Sequence, residues 1–127
     1  MQNPVSPLKA GALASPQERA RAVQAVLDRD GPEMDRRREL TQEVVDALAG
    51  QDLLRMLLPK SMGGQEVHLV DYAKACEAVA WADASTAWFV NQSNVSMATS
   101  AASMPHEAAA AIFEGPHAGL ALSLIHI

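Results

Sequence analysis

A single cysteine, Cys76, stands in the whole sequence. It rules out a disulfide within the chain and is compatible with a reducing cytosol. Positive charge is in deficit, with a formal net charge of -5, which argues against a nucleic-acid surface because that needs a basic stripe. The one basic cluster, Arg36-Arg37-Arg38, sits between Asp35 and Glu39 and reads as a solvated helix face. The opening MQNPVSPLKAG has neither a basic n-region nor an apolar h-region, so no export signal is expected. No run is apolar enough for a bilayer. Residues 84–105 are uncharged and long enough, but Asn91, Gln92, Ser93, Asn94, Ser96, Thr99, Ser100 and Ser103 make them too polar. The expectation is a soluble, cytoplasmic protein with neither a membrane nor a nucleic acid as partner. Chemical motifs are scarce as well. GxGxxG, a phosphate loop and a GxSxG elbow are all missing. His68, His106, His117 and His126 lie far apart without i, i+4 pairing, and one cysteine builds no zinc site. Neither a metal site nor a catalytic residue is assigned.

Alanine supplies much of the 49% hydrophobic share while aromatics contribute only 4%, a balance that favours helices. A chain of 127 residues suits one domain that buries about two-thirds of its unfolded surface. Residues 1–14, with Pro4, Pro7 and Gly11, read as a disordered lead-in. Ser15-Pro16-Gln17-Glu18 is a strong helix start, with a cap, a first-turn proline and a capping-box glutamate. Ala22, Val23, Val26 and Leu27 continue at helical spacing until Gly31-Pro32, where the helix is expected to break or kink. A short piece over Glu33 to Arg38 follows. Thr41 caps the next helix, which ends at Gly50.

The stretch from Asp52 to Trp88 organises the rest. Leu53 to Leu58 reads as a buried connector, closed by Pro59 and by Gly63-Gly64, one of which is expected at positive φ. In the helix from Leu69 to Trp81, Leu69, Ala73, Cys76 and Ala80 share an apolar face opposite Asp71, Lys74 and Glu77. Cys76 and Trp81 are expected in the core. Asp83 caps a helix from about Ser85 to Met104, and a last helix runs from His106 to Phe113. The helix after Asp83 is unusual, because an enclosed helix normally fills with Leu, Ile and Val and buried polar groups need partners. In one reading Ala87, Ser93, Ser96, Ala98, Ala101 and Ala102 permit close helix contact while the amides bond nearby backbone. In the other, Trp88, Asn91, Gln92, Val95 and Met97 line a ligand cavity at a domain boundary.

The phrases LLRMLLPKSMGG and EAVAWADASTAW, in this order and at this separation, resemble the N-terminal helical domain of the acyl-CoA dehydrogenase flavoproteins over roughly Arg36 to Ala121. The resemblance implies an all-α domain of five to six helices over residues 15–121, with a middle β-domain and a C-terminal helical bundle missing. It also implies that the helix after Asp83 borders the substrate and flavin cavity. FAD is the implied cofactor of the parent protein, held mostly by the two missing domains, and the base of the dehydrogenases lies in the C-terminal part. Two chemistries are implied. The first is α,β-dehydrogenation of an acyl-CoA thioester with hydride passed to flavin. The second is two-component monooxygenation of an aromatic, steroid-derived or sulfur heterocyclic small molecule, using O2 and FAD or FMN reduced by a partner flavin reductase. ADASTAWF looks somewhat more like the second branch. A homo-oligomeric parent is implied, and the fragment alone is expected to be inactive. From a different class, a non-catalytic helical interaction module stays open. The last six residues, LSLIHI, are what CTGTCTCTTATACACATC encodes, an end sequence of transposase-based sequencing adaptors. Residues 122–127 are therefore read as a non-native tail, with a β-strand entering a further domain as the rival.

Overall fold

Local sequence signals start most of the helices. In the computed structural model, which describes residues 14–115 and 118, Ser15 and Glu18 close a reciprocal capping box at the head of α1 (Pro16–Ala22). Thr41 caps α3 (Gln42–Gly50) by accepting from the Val44 amide, and Asp83 caps α5 (Ala84–Ser103) through the Thr86 amide at 2.6 Å. Between them lie α2 (Gln24–Arg37), a 3-10 turn (Lys60–Met62) and α4 (Leu69–Ala82), and α6 (His106–Phe113) closes the order. Among the described residues there are six α-helices and no strand. None is long and apolar enough to cross a membrane. The expected disordered lead-in falls almost wholly outside the described residues, as do the expected non-native tail and the far end of the domain assigned to 15–121.

The break expected at Gly31-Pro32 falls elsewhere. The first helix yields at Val23, and α2 then runs unbroken through Pro32 to a left-handed Arg38. Pro32 removes the amide that would bond the Asp28 carbonyl, but Asp28 and Pro32 are both exposed, so water can serve the freed carbonyl. The piece expected over Glu33 to Arg38 is simply the last turns of α2.

The core gathers Ala20, Val23, Leu27, Val44, Leu48, Leu53, Leu54, Met56 and Val79 between the first four helices and the buried connector. A second, smaller cluster of Leu58, Met97, Ala101, Ala109 and Phe113 seats α6 against α5. The expected apolar face of α4 is rotated. Tyr72, Ala75, Ala78 and Val79 are buried, whereas Leu69 is 68% exposed, Ala73 and Ala80 face solvent, and Cys76 is half-buried. Tyr72 hides more apolar area than a leucine at the helix end would, and Ala75 and Ala78 are small enough for close approach of the neighbouring helix. That rotation turns Trp81 outward at 81% exposure, against the expectation of a core residue.

Leu53 to Leu58 is a buried, irregular connector, as its sequence suggests. Its carbonyls are satisfied from across the turn. Gln65, Glu66 and Val67 donate to Arg55, Leu58 and Met56. Gly63 closes the turn at φ 79°, and Gly64 lies so near the Leu58 carbonyl that a Cβ would come within 1.9 Å of its oxygen.

Candidate functional site

The twenty residues of α5 present two unlike faces. Thr86, Ala87, Val90, Ser93, Asn94, Met97 and Ala101 point inward. The opposite side carries Trp88, Asn91, Gln92 and Val95, which follow one another at i, i+3, i+4 and i+7 and so form one stripe. Trp88 is 64% exposed and Val95 40%, with the two amides half-buried. Four of the five residues expected to line a cavity thus share a surface. Met97 does not. It is wholly buried in the second cluster with Leu58, Ala101, Ala109 and Phe113, on the opposite side of the helix from the stripe.

The inward face explains part of the polar content of α5. Asn94 is completely buried, and its Nδ2 donates to the carbonyls of Leu53 and Val90, each at 2.8 Å. Its Oδ1 accepts from the Leu57 amide at 3.1 Å. One side chain therefore does for the irregular connector what a neighbouring strand would do for a regular one. Ser93, Ser96, Ala87 and Ala101 keep that face slim, whereas Ala98, only half-buried, and Ala102, exposed, do not share in the close contact expected of them. Thr86 and Ser96 are different, because their buried hydroxyls have no partner among the described residues.

On the outward side, Trp88 walls a shallow concavity of about 360 Å³ whose floor is Ala80, Ala84 and Ala87, with Cys76, Glu77 and Asn91 around it. Trp81 stands beyond Ala80 on the same surface. Asn91 is anchored from α4, since the Tyr72 hydroxyl donates to its Oδ1 at 2.7 Å. Burial pushes the Tyr72 phenol well above its usual range, so it stays protonated and donates. Burial likewise raises the Cys76 thiol, opposed by its contact with Tyr72, which leaves a poor nucleophile. Among the described residues no three His, Cys, Asp or Glu side chains come together as a metal site.

Two arginines are buried, and Arg19 corrects the reading that turns it, with Arg21 and Asp28, away from the Val23 and Val26 stripe, since positions 19, 23 and 26 share one helix face. Arg19 donates to the Gln51 carbonyl at 2.7 Å and to the Gln65 side chain, tying α1 to the ends of the connector. Desolvation pulls its pKa below the ordinary arginine value, and Asp52 partly offsets this. Arg55 donates to the Phe113 carbonyl at 2.6 Å, to that of Met62 at 3.1 Å and to that of Gly115. It thus holds the end of α6 against the 3-10 turn.

The profile of the acyl-CoA dehydrogenase N-terminal domain matches residues 16–110, from the first residue of α1 into α6. The chain belongs to the acyl-CoA dehydrogenase family. Members are flavin-dependent oxidoreductases that generally bind flavin, and the all-helical architecture is that of the family's N-terminal domain. The chain is also similar to the indole-3-acetate monooxygenase of Pseudomonas putida, at 36% identity over 84 residues, covering 62% of this chain and 21% of that protein. It therefore spans about a fifth of the length of this relative. No solved structure gives a significant match.

Proposed function

We propose that this chain supplies one helical wall of the substrate cavity in a flavin-dependent monooxygenase acting on a small aromatic compound, with Trp88, Asn91, Gln92 and Val95 as the lining. The observation that carries the reading is the 36% identity to an indole-3-acetate monooxygenase. The exposed indole beside an alanine floor supports it, because a flat apolar surface with an adjacent amide suits an aromatic ring. Met97 supports the wall from behind and is not part of the lining.

The residues present do not make a flavin cradle. The outward face of α5 and its concavity carry no basic side chain for a diphosphate, and Glu77 is acidic. Arg36 and Arg37 lie on α2, paired with Glu33 and Glu39. FAD, or FMN, is accordingly assigned to parts of the parent protein beyond this chain, and no step is derived from its contacts here. A separate flavin reductase and a homo-oligomeric parent belong to the same reading.

The second reading is dehydrogenation of an acyl-CoA thioester, which the family profile itself favours. The two differ in where electrons come from. A dehydrogenase takes a hydride from its substrate, whereas a monooxygenase receives reduced flavin and delivers one oxygen atom of O2 to substrate and the other to water. The full-length protein loaded with oxidised FAD is therefore mixed without oxygen with a series of acyl-CoA thioesters. Retention of flavin colour throughout is expected, and bleaching by a thioester would overturn the monooxygenase reading in favour of dehydrogenation.

A further inference from the structure

One amide on the outward face of α5 is fixed, and its neighbour is not. The buried Tyr72 hydroxyl lies 2.7 Å from Oδ1 of Asn91 and 3.4 Å from the Asn91 backbone carbonyl, so Asn91 is gripped at its oxygen end. An asparagine held through its oxygen turns its N–H2 group the other way. Asn91 lines the concavity beside Trp88, and its nitrogen meets no acceptor among the described residues. Gln92, on the same stripe, makes no side-chain hydrogen bond among the described residues and keeps its rotamer freedom.

We propose that Asn91 is a substrate-orienting hydrogen-bond donor, positioned by Tyr72, for an oxygen acceptor on a flat aromatic ligand lying against Trp88. The inference rests on the reading that this face borders the substrate. A donor fixed before binding loses little conformational entropy when the ligand arrives, which is how a half-buried amide contributes to affinity. Tyr72 touches no ligand and acts through Asn91. Glu77 on the rim is exposed, so its charge is screened and a carboxylate oxygen remains an acceptable partner.

The test is steady-state turnover of indole-3-acetate by the full-length protein supplied with reduced FAD and O2. Asn91→Ala and Tyr72→Phe are each expected to raise KM about tenfold, the worth of one hydrogen bond, with kcat held within about twofold. The double variant is expected to match Asn91→Ala, because a residue acting through another is not additive with it. Additive effects in the double variant would overturn the positioning role. Unchanged KM in Asn91→Ala, with KM raised in Trp88→Ala, would overturn the donor role while leaving the face correct. No turnover by the wild type, or no effect of Trp88→Ala, would instead overturn the reading of the face itself. Asn91 is only half-buried, so Asn91→Ala carries the test even if Tyr72→Phe fails to fold.

Discussion

At the scale of single residues, two adjacent glycines are required for unlike reasons. Gly63 sits at φ 79° with no close obstruction, so Gly63→Ala meets backbone strain worth about 1 kcal/mol. Gly64 has no such angle, but a Cβ there would lie 1.9 Å from the Leu58 oxygen, and that backbone is already engaged by Glu66. Gly64→Ala is therefore expected to cost more, about 3 kcal/mol. Urea unfolding of the two variants side by side checks the order, and equal midpoints would contradict it. Thr86 offers the opposite case. Its buried hydroxyl has no partner among the described residues, so Thr86→Val should stabilise the chain by about 1 kcal/mol in the same assay. The glycine pair was legible in the sequence as a turn, since such dipeptides have few other uses. The clash at Gly64 was not legible, because it depends on a backbone six residues earlier. The left-handed Arg38, Asp52 and Glu66 were equally hidden, as no glycine marks them.

At the scale of elements, helix starts were legible where a cap and its partner lie within three residues of each other. Ser15 and Glu18, Thr41 and Asp83 all behave as their spacing indicates. Ser15→Ala should weaken α1 by about 1 kcal/mol in thermal unfolding. Bonds from Ser15 to the Glu18 carboxylate hold the pKa of Glu18 below its ordinary value. Its contribution is therefore complete above the unfolded carboxylate range and lost as pH falls through the lower, folded value. A Glu18→Gln chain, which has no carboxyl to titrate there, should show a shallower loss of stability across that acid range than the wild type, and parallel curves would contradict the coupling. The facing of α4 was misjudged, because Leu69 and Tyr72 compete for the core and only the neighbouring helices decide between them. Arg55 was invisible for the same reason, its partners at Met62, Phe113 and Gly115 being mostly distant in sequence. Helix α6 has eight residues, too few to persist alone, so Phe113 and the Arg55 guanidinium fasten it. Arg55→Met should raise amide exchange in α6 at least about tenfold, the effect of losing charged hydrogen bonds. Amides in α1 and α4 should be spared, and uniform acceleration across the chain would mean that Arg55 supports the whole fold and not α6 in particular.

At the scale of the whole molecule, the two faces of α5 divide residues that its sequence could not sort. Ala87, Ser93, Ser96, Ala101 and Asn94 pack inward, while Trp88, Asn91, Gln92 and Val95 form the outward stripe. Alternation of faces every three or four residues leaves little overall amphipathic signal when both faces mix polar and apolar side chains, so composition alone was ambiguous. The outward surface leaves both Trp81 and Trp88 largely exposed, and large apolar side chains left in water favour association. Sizing chromatography of the 127-residue chain should therefore find self-association that Trp81→Lys and Trp88→Lys together reduce. A sharp monomer peak for the wild type would mean that this surface needs no cover. The monooxygenase reading itself is tested most directly with isotopic oxygen. The full-length protein receives reduced FAD, indole-3-acetate and 18O2, and the product is weighed by mass spectrometry. Incorporation of one labelled oxygen atom per product molecule is the predicted result, and a product without label would contradict the account.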